Sequence, residues 1–188
     1  MKKIIFLFCC VFSVLSYAVN PSDLAKLPKP EAPKGLDLSN ADLRAYQFTP
    51  GKTNLQNANL SHANLSNVNL ENMDLSNANL SHANLTNAKL NGANLTNANL
   101  SYADLSNANL DSANLSNALL NSAILTAASL QNSILSKADF TCVNFNNANL
   151  TNADFADATI SSASFSNTIT TDILNYESVI DEHVSCSD

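Results

Sequence analysis

From Leu55 to Phe165 every fifth residue is leucine, phenylalanine or isoleucine, twenty-three pentads without a slip. Five is a period that suits neither common secondary structure. Along an α-helix five steps rotate a side chain by about 140°, so a leucine at every fifth position has no common buried face. Along a continuous strand, each leucine would point to the opposite side from the one before. The conflict disappears if the chain turns a corner once per pentad. Ala-Asn-Leu is then a short extended piece with Ala and Leu facing inward and Asn outward. The following Ser/Thr-Asn makes the turn, a role both residue types accept through local side-chain hydrogen bonds. Three looser pentads precede the run, centred on Leu38, Leu43 and Phe48. The step from Phe48 to Leu55 is seven residues, and the excess falls on Pro50-Gly51, a turn pair.

The repeats sit between two different ends. The first twenty residues, MKKIIFLFCCVFSVLSYAVN, hold two lysines, an apolar run from Ile4 to Leu15 and then Ser16-Tyr17-Ala18. This reads as a secretory signal peptide over 1–18, cut after Ala18. The run is too short for a spanning helix, which needs ~20 apolar residues, and no transmembrane segment is expected after cleavage. Cys9 and Cys10 raise a lipoprotein reading, but Phe8 stands where a small residue should precede an acylated cysteine. Export, to a bacterial periplasm or the medium, places the mature chain where disulfides persist. Two of the four cysteines remain there, Cys142 and Cys186, and one bridge or two free thiols are both open. The net charge is −7 for the whole chain and −9 once Lys2 and Lys3 leave with the signal. That sign argues against nucleic acid and anionic membranes as partners. Residues 19–35 form a proline-rich leader. Residues 170–188 lose the period and place Ile173, Leu174, Tyr176, Val179, Ile180 and Val184 at roughly helical spacing, which predicts a short amphipathic cap from Asp172 to Val184.

The pattern A-(N/D)-L-(S/T)-N resembles the pentapeptide-repeat family over 36–169. The resemblance implies an all-β fold, a right-handed, four-sided parallel β-helix in which four pentads make one coil. On that rule 26 pentads give six and a half coils, a rod about 31 Å long at ~4.8 Å per coil. Inner-flank alanines suit a narrow interior. Val68, Met73 and Val143, with phenylalanine at 140, 145, 155 and 165, thicken the core toward its ends. The open ends expose strand edges, and the leader and the C-terminal helix are their natural caps.

If four pentads make a coil, residues twenty apart lie one above another. Most turn columns are asparagine and read as structural ladders. One is not: 62, 82, 102, 122, 142 and 162 read His, His, Tyr, Ser, Cys, Ser. His62 and His82 either stack as planar rings or share a divalent metal, and no carboxylate in their column completes a coordination sphere. Together with Tyr102 they form the most chemically varied strip on the rod and the first place to look for a docked partner. A second anomaly is apolar: the outward middle position becomes Leu119, Ile124 and Ile134 within one coil. These residues form a contact belt or are scattered surface leucines.

No catalytic constellation or cofactor motif stands out, and His183 has no nucleophile at a supporting spacing. The leading expectation is a non-catalytic exported scaffold whose partner is a protein or cell-envelope component. The resemblance adds two features: homodimerisation through a phenylalanine-rich C-terminal end, and, as an alternative function, binding of DNA gyrase by imitation of duplex DNA. Mimicry needs aligned acids, whereas Glu71, Asp74, Asp104, Asp111, Asp139, Asp154 and Asp157 scatter over all four sides beside Lys89 and Lys137. An exported chain would also never meet gyrase. A third reading, an ice- or carbohydrate-binding face, lacks the regular threonine array: 76, 96, 116 and 136 read Ser, Thr, Ser, Ser.

Overall fold

The computed structural model describes residues 35–51, 53–179 and 186. The signal, all but the last residue of the leader, and residues 180–185 of the tail lie outside them. Each pentad contributes one short extended piece and one two-residue turn, and the extended pieces pair in parallel with those twenty residues away. Four ladders result, one per side. The first side runs Asp37, Asn59, Asn79, Asn99, Leu119, Asp139, Thr159 and the second Asp42, Asn64, Asn84, Asp104, Ile124, Asn144, Ser164. The third runs from Asn69 to Ile169 and the fourth from Asp74 to Leu174. Asp37 and Asp42 pair at a separation of 22, which locates the two extra residues in the Pro50-Gly51 corner.

Three backbone bonds tie each pentad to its neighbours. The Leu60 N–H donates to the Asn79 carbonyl at 2.7 Å, and the Asn79 N–H returns to the Ala58 carbonyl at 2.8 Å. At the corner, the Asn57 N–H reaches the Ser76 carbonyl at 3.0 Å. A further bond, from the Ala58 N–H to the Leu55 carbonyl at 3.1 Å, closes the turn itself. From Asn57 onward the second turn residue is left-handed in every pentad, with φ of 57° at Asn57, 58° at Asn77 and 57° at Asn117. This is why asparagine dominates that position: apart from glycine, it adopts the left-handed region at least cost. The outward asparagine has a second task. Asn59 Oδ1 accepts both the N–H and the hydroxyl of Ser61, at 3.2 and 2.8 Å, and the same arrangement recurs at Asn64, Asn94 and Asn149. Amide ladders along the rod occur as well, as from Asn97 to Asn77 at 3.3 Å.

The interior is almost wholly apolar. The centre leucines, every fifth residue from Leu55 to Leu135, and the alanines two residues before them are fully buried, as are Val68, Met73 and Val143. Ser133 replaces an inner alanine and gives its hydroxyl proton to the Leu130 carbonyl at 2.7 Å. Among the described residues no buried side-chain polar atom lacks a partner. Phe140, Phe145 and Phe155 fill the C-terminal coils, while Phe165, in the last one, is only partly buried.

The expected helix from Asp172 to Val184 does not form over the described residues. Leu174 instead joins the fourth ladder, accepting from the Phe155 N–H at 3.0 Å and donating to the Ala153 carbonyl at 2.9 Å. Asn175 then turns left-handed, and a single 3-10 turn, Tyr176–Ser178, follows. A short isolated helix is marginal, whereas another rung on a finished ladder finds both backbone partners in place. The remainder of that helix, 180–184, lies outside the described residues.

Carboxylates at outward positions couple this scaffold to pH. Burial pushes the Asp74 carboxyl up, but hydrogen bonds from Ser76, Gln56 and Asn94 outweigh it and leave its pKa below 3.8. The Arg44 guanidinium holds Asp42 below the same value. In the unfolded chain these groups take up protons at the higher, ordinary pKa, so their contribution is complete above about pH 4 and is lost as pH falls through the lowered native value. Melting temperature is expected to drop as pH falls below about 4, and less steeply in Asp74→Asn, as circular dichroism at successive pH values would show.

Candidate interaction surface

The corner joining the first and second sides carries the varied column. Backbone bonds stack it in order: Asn40 N–H to Ser61, His62 to Ser81, His82 to Ser101, Tyr102 to Asn121, Ser122 to Thr141 and Cys142 to Ser161. The column thus starts at Asn40, two residues out of the twenty-residue register because of the Pro50-Gly51 insertion. Every member is left-handed, from φ 57° at His82 and Ser162 to 60° at Tyr102, so their side chains leave the rod in the same direction.

Three rings stack along this edge. The His62 and His82 centroids are 4.7 Å apart with planes 5° from parallel, and His82 and Tyr102 are 4.9 Å apart at 3°. Nitrogen lone pairs lie in the ring planes. Parallel rings therefore aim them side by side instead of converging on one ion at the ~2.0–2.1 Å that a metal such as zinc requires. This arrangement suits stacking better than a shared metal. Among the described residues no three of His, Cys, Asp and Glu gather as a metal site.

Two coils above Tyr102, Cys142 is joined to Cys186 in a disulfide with Cα atoms 5.7 Å apart, closing a separation of 44 residues. The bridge fixes the tail to the same corner. Nearby Ser161 is buried, and the Asp157 N–H, one corner back, donates to Ser178 Oγ at 2.9 Å in place of a further ladder carbonyl.

The three outward apolar residues are exposed and sit on three sides. Leu119 lies on the first side between Asn99 and Asp139, and Ile124 on the second between Asp104 and Asn144. Ile134 lies on the fourth side, between Asn114 and Asp154. Each gives up the turn bond that asparagine makes at that position. Leu119 and Ile124 therefore flank the Tyr102–Ser122 corner, and Ile134 stands apart from it.

The phenylalanine-rich C-terminal end that the resemblance marks as a contact surface also exposes three residues not expected there. Ile169, Leu174 and Tyr176 are about half exposed there, beside the partly buried Phe165. Tyr176 packs edge-on against Phe155 at 6.4 Å. The twenty-residue register, continued past Phe165, would have placed Ile169 and Leu174 on outward ladders. At the opposite end a recess is lined by Arg44, Tyr46, Phe48 and Asn67. Burial pushes the Tyr46 phenol up, opposed by a hydrogen bond with Thr53. The Arg44–Asp42 ion pair at its rim, 2.6 Å, is solvent-exposed, and such pairs contribute little stability.

Among the described residues no helix is long and apolar enough to cross a membrane. No curated protein sequence matches the chain significantly. Solved structures do resemble it. A pentapeptide repeat protein from the Arabidopsis thaliana thylakoid lumen is 28% identical over 43% of this chain, with a TM-score of 0.40. The match spans 59% of that protein's length. HetL, a pentapeptide repeat protein involved in heterocyst differentiation regulation in Nostoc sp. strain PCC 7120, is 31% identical over 75% of this chain and 81% of its own, with a TM-score of 0.30. QnrB1, a plasmid-mediated fluoroquinolone resistance protein, is 21% identical over 71% of this chain and 78% of its own, with a TM-score of 0.35. Two sequence profiles, both described as pentapeptide repeats, match in overlapping stretches from 53 to 141 and from 125 to 169. Since these matches cover more than half of the sequence, the chain belongs to the pentapeptide-repeat family, whose members form right-handed quadrilateral β-helices.

Proposed function

We propose that this protein is a non-catalytic, exported interaction rod that presents the His62–His82–Tyr102 edge to a protein of the cell envelope. The observation that carries this reading is the contrast between one corner and the rest. Most left-handed turn positions hold asparagine, whereas this corner holds three stacked rings, a recessed serine and a cystine. Function has to be argued from a site and not from a fold, and here the site is a rigid, chemically distinct surface. Export is supported by the signal pattern of residues 1–18 and by a cystine that suits an oxidising compartment. The apolar end around Phe165, Ile169 and Leu174 is suited to pairing with a second copy.

The test is capture from an envelope extract by the intact mature rod, with a His62→Ala/His82→Ala/Tyr102→Ala variant in parallel. A partner retained by the wild type and lost by the variant supports the reading. Equal retention by both, or no retained partner, sinks it. Finding the uncleaved chain in the cytoplasm would separately sink the assignment of export.

A further inference from the structure

The stacked column has a missing rung. At ~4.8 Å per coil, Tyr102 and Cys142 stand about 9.6 Å apart along the rod, and only the small Ser122 lies between them. Ser122 is half-buried, although Ser112 and even Ala127, at the same turn position on other corners, are exposed. Its neighbours in the column carry longer side chains, Tyr102 on one side and Cys142, bridged to Cys186, on the other. The upper face of Tyr102 therefore opens onto a notch with serine at its floor. A ring seated at the Ser122 level would continue the stack at the spacing His62, His82 and Tyr102 already keep, within the range aromatic pairs prefer.

The flanks of the notch define what fits it. Leu119 and Ile124, on the two sides that meet at this corner, offer apolar walls. Diagonally beyond them lie two carboxylates: Asp139 next to Leu119, and Asp104 next to Ile124. Each uses Oδ1 to accept a turn N–H, from Thr141 at 2.9 Å and from Ser106 at 2.9 Å. Among the described residues neither is in an ion pair with a cation. With a chain of net charge −7 behind them, these acids favour a cationic partner.

We propose that the Ser122 notch receives one aromatic side chain of a basic protein segment: the ring stacks on Tyr102 between Leu119 and Ile124, and adjacent lysine or arginine residues meet Asp104 and Asp139. This deepens the interaction-rod reading and rests on it. The mature protein contains no tryptophan, so the fluorescence of an added Lys-Trp-Lys peptide, blocked at both ends, reports binding without background. The wild type should shift and polarise that emission. Tyr102→Ala, which removes the platform, and Ser122→Tyr, which fills the rung, should each weaken binding at least tenfold. Tyrosine is tolerated in this left-handed position, as Tyr102 shows at φ 60°, and unchanged circular dichroism would confirm that the variant folds. Ser112→Tyr, on another corner, should bind as the wild type does, and a Glu-Trp-Glu peptide should bind at least tenfold more weakly.

Equal binding by wild type and Ser122→Tyr, or equal affinity for the two peptides, overturns the proposal. If the wild type ignores both peptides yet still retains an envelope partner, the notch is wrong and the rod reading survives.

Discussion

Phe145→Ala is expected to cost about 3–5 kcal/mol, the range for deleting a buried aromatic ring from a packed core. Phe145 is fully buried and touches three other rings: Phe140 at 5.2 Å, Phe155 at 6.4 Å and Phe165 at 5.1 Å. The penalty belongs at the upper end because the walls cannot collapse into the space. Each of the four sides is held at ladder spacing by backbone bonds, such as Phe145 N–H to Ser164 at 2.8 Å and Asn144 N–H to Ala123 at 3.1 Å. Phe165→Ala, at a half-buried site in the last coil, should cost clearly less. Urea titrations of both variants followed by circular dichroism would decide. A loss at position 145 no larger than at 165 would mean that the phenylalanine cluster is not the anchor of this end.

The second large effect depends on place along the rod. Leu100 and Leu38 are both fully buried centre leucines, so Leu→Ala removes the same atoms, at about 2–5 kcal/mol by the usual range. Leu100 has coils on both sides, and Leu38 lies in the first described coil. In a quasi-one-dimensional fold, stability is a sum of units and nearest-neighbour interfaces. The Leu100 variant should weaken two interfaces and divide the melt into two steps, because either half can open without the other. The Leu38 variant should fray locally and leave the main transition nearly unmoved. Native-state hydrogen exchange separates the two outcomes: fast exchange confined to amides such as Leu43 and Asn64 for Leu38→Ala, and spread through the centre for Leu100→Ala. A single unchanged cooperative transition in both would show that the rod melts as one unit.

The leucine period alone carried most of the architecture, because burial in a turning chain leaves little else for a five-residue spacing to mean. The four-sided closure came from the family resemblance, and the twenty-residue pairing of Asn59 with Asn79 and of Asn99 with Leu119 bears it out. The seven-residue step at Pro50-Gly51 became the pair of 22-residue bridges, and the His62–His82–Tyr102 column became stacked rings. Other features were hidden for physical reasons. Asparagine at position 57 reads as a generic turn residue until its left-handed φ is known. The segment after Phe165 lost its centre leucines, with Thr170 and Asn175 in their place, yet a ladder needs backbone groups and not leucines, so Leu174 paired where a helix was expected. The half-burial of Ser122, against the exposure of Ser112 and Ala127 at the same turn position, is a difference no local pattern encodes.

The four-pentad coil also restricts how such a chain can change length. Gain or loss of twenty residues lengthens or shortens the rod by one coil while every surviving residue keeps its compass bearing. A change of five turns everything beyond it through a quarter revolution. Such a deletion between Tyr102 and Cys142 would preserve the leucine core untouched, yet it would swing the cystine-anchored tail to a neighbouring edge and dismantle the corner.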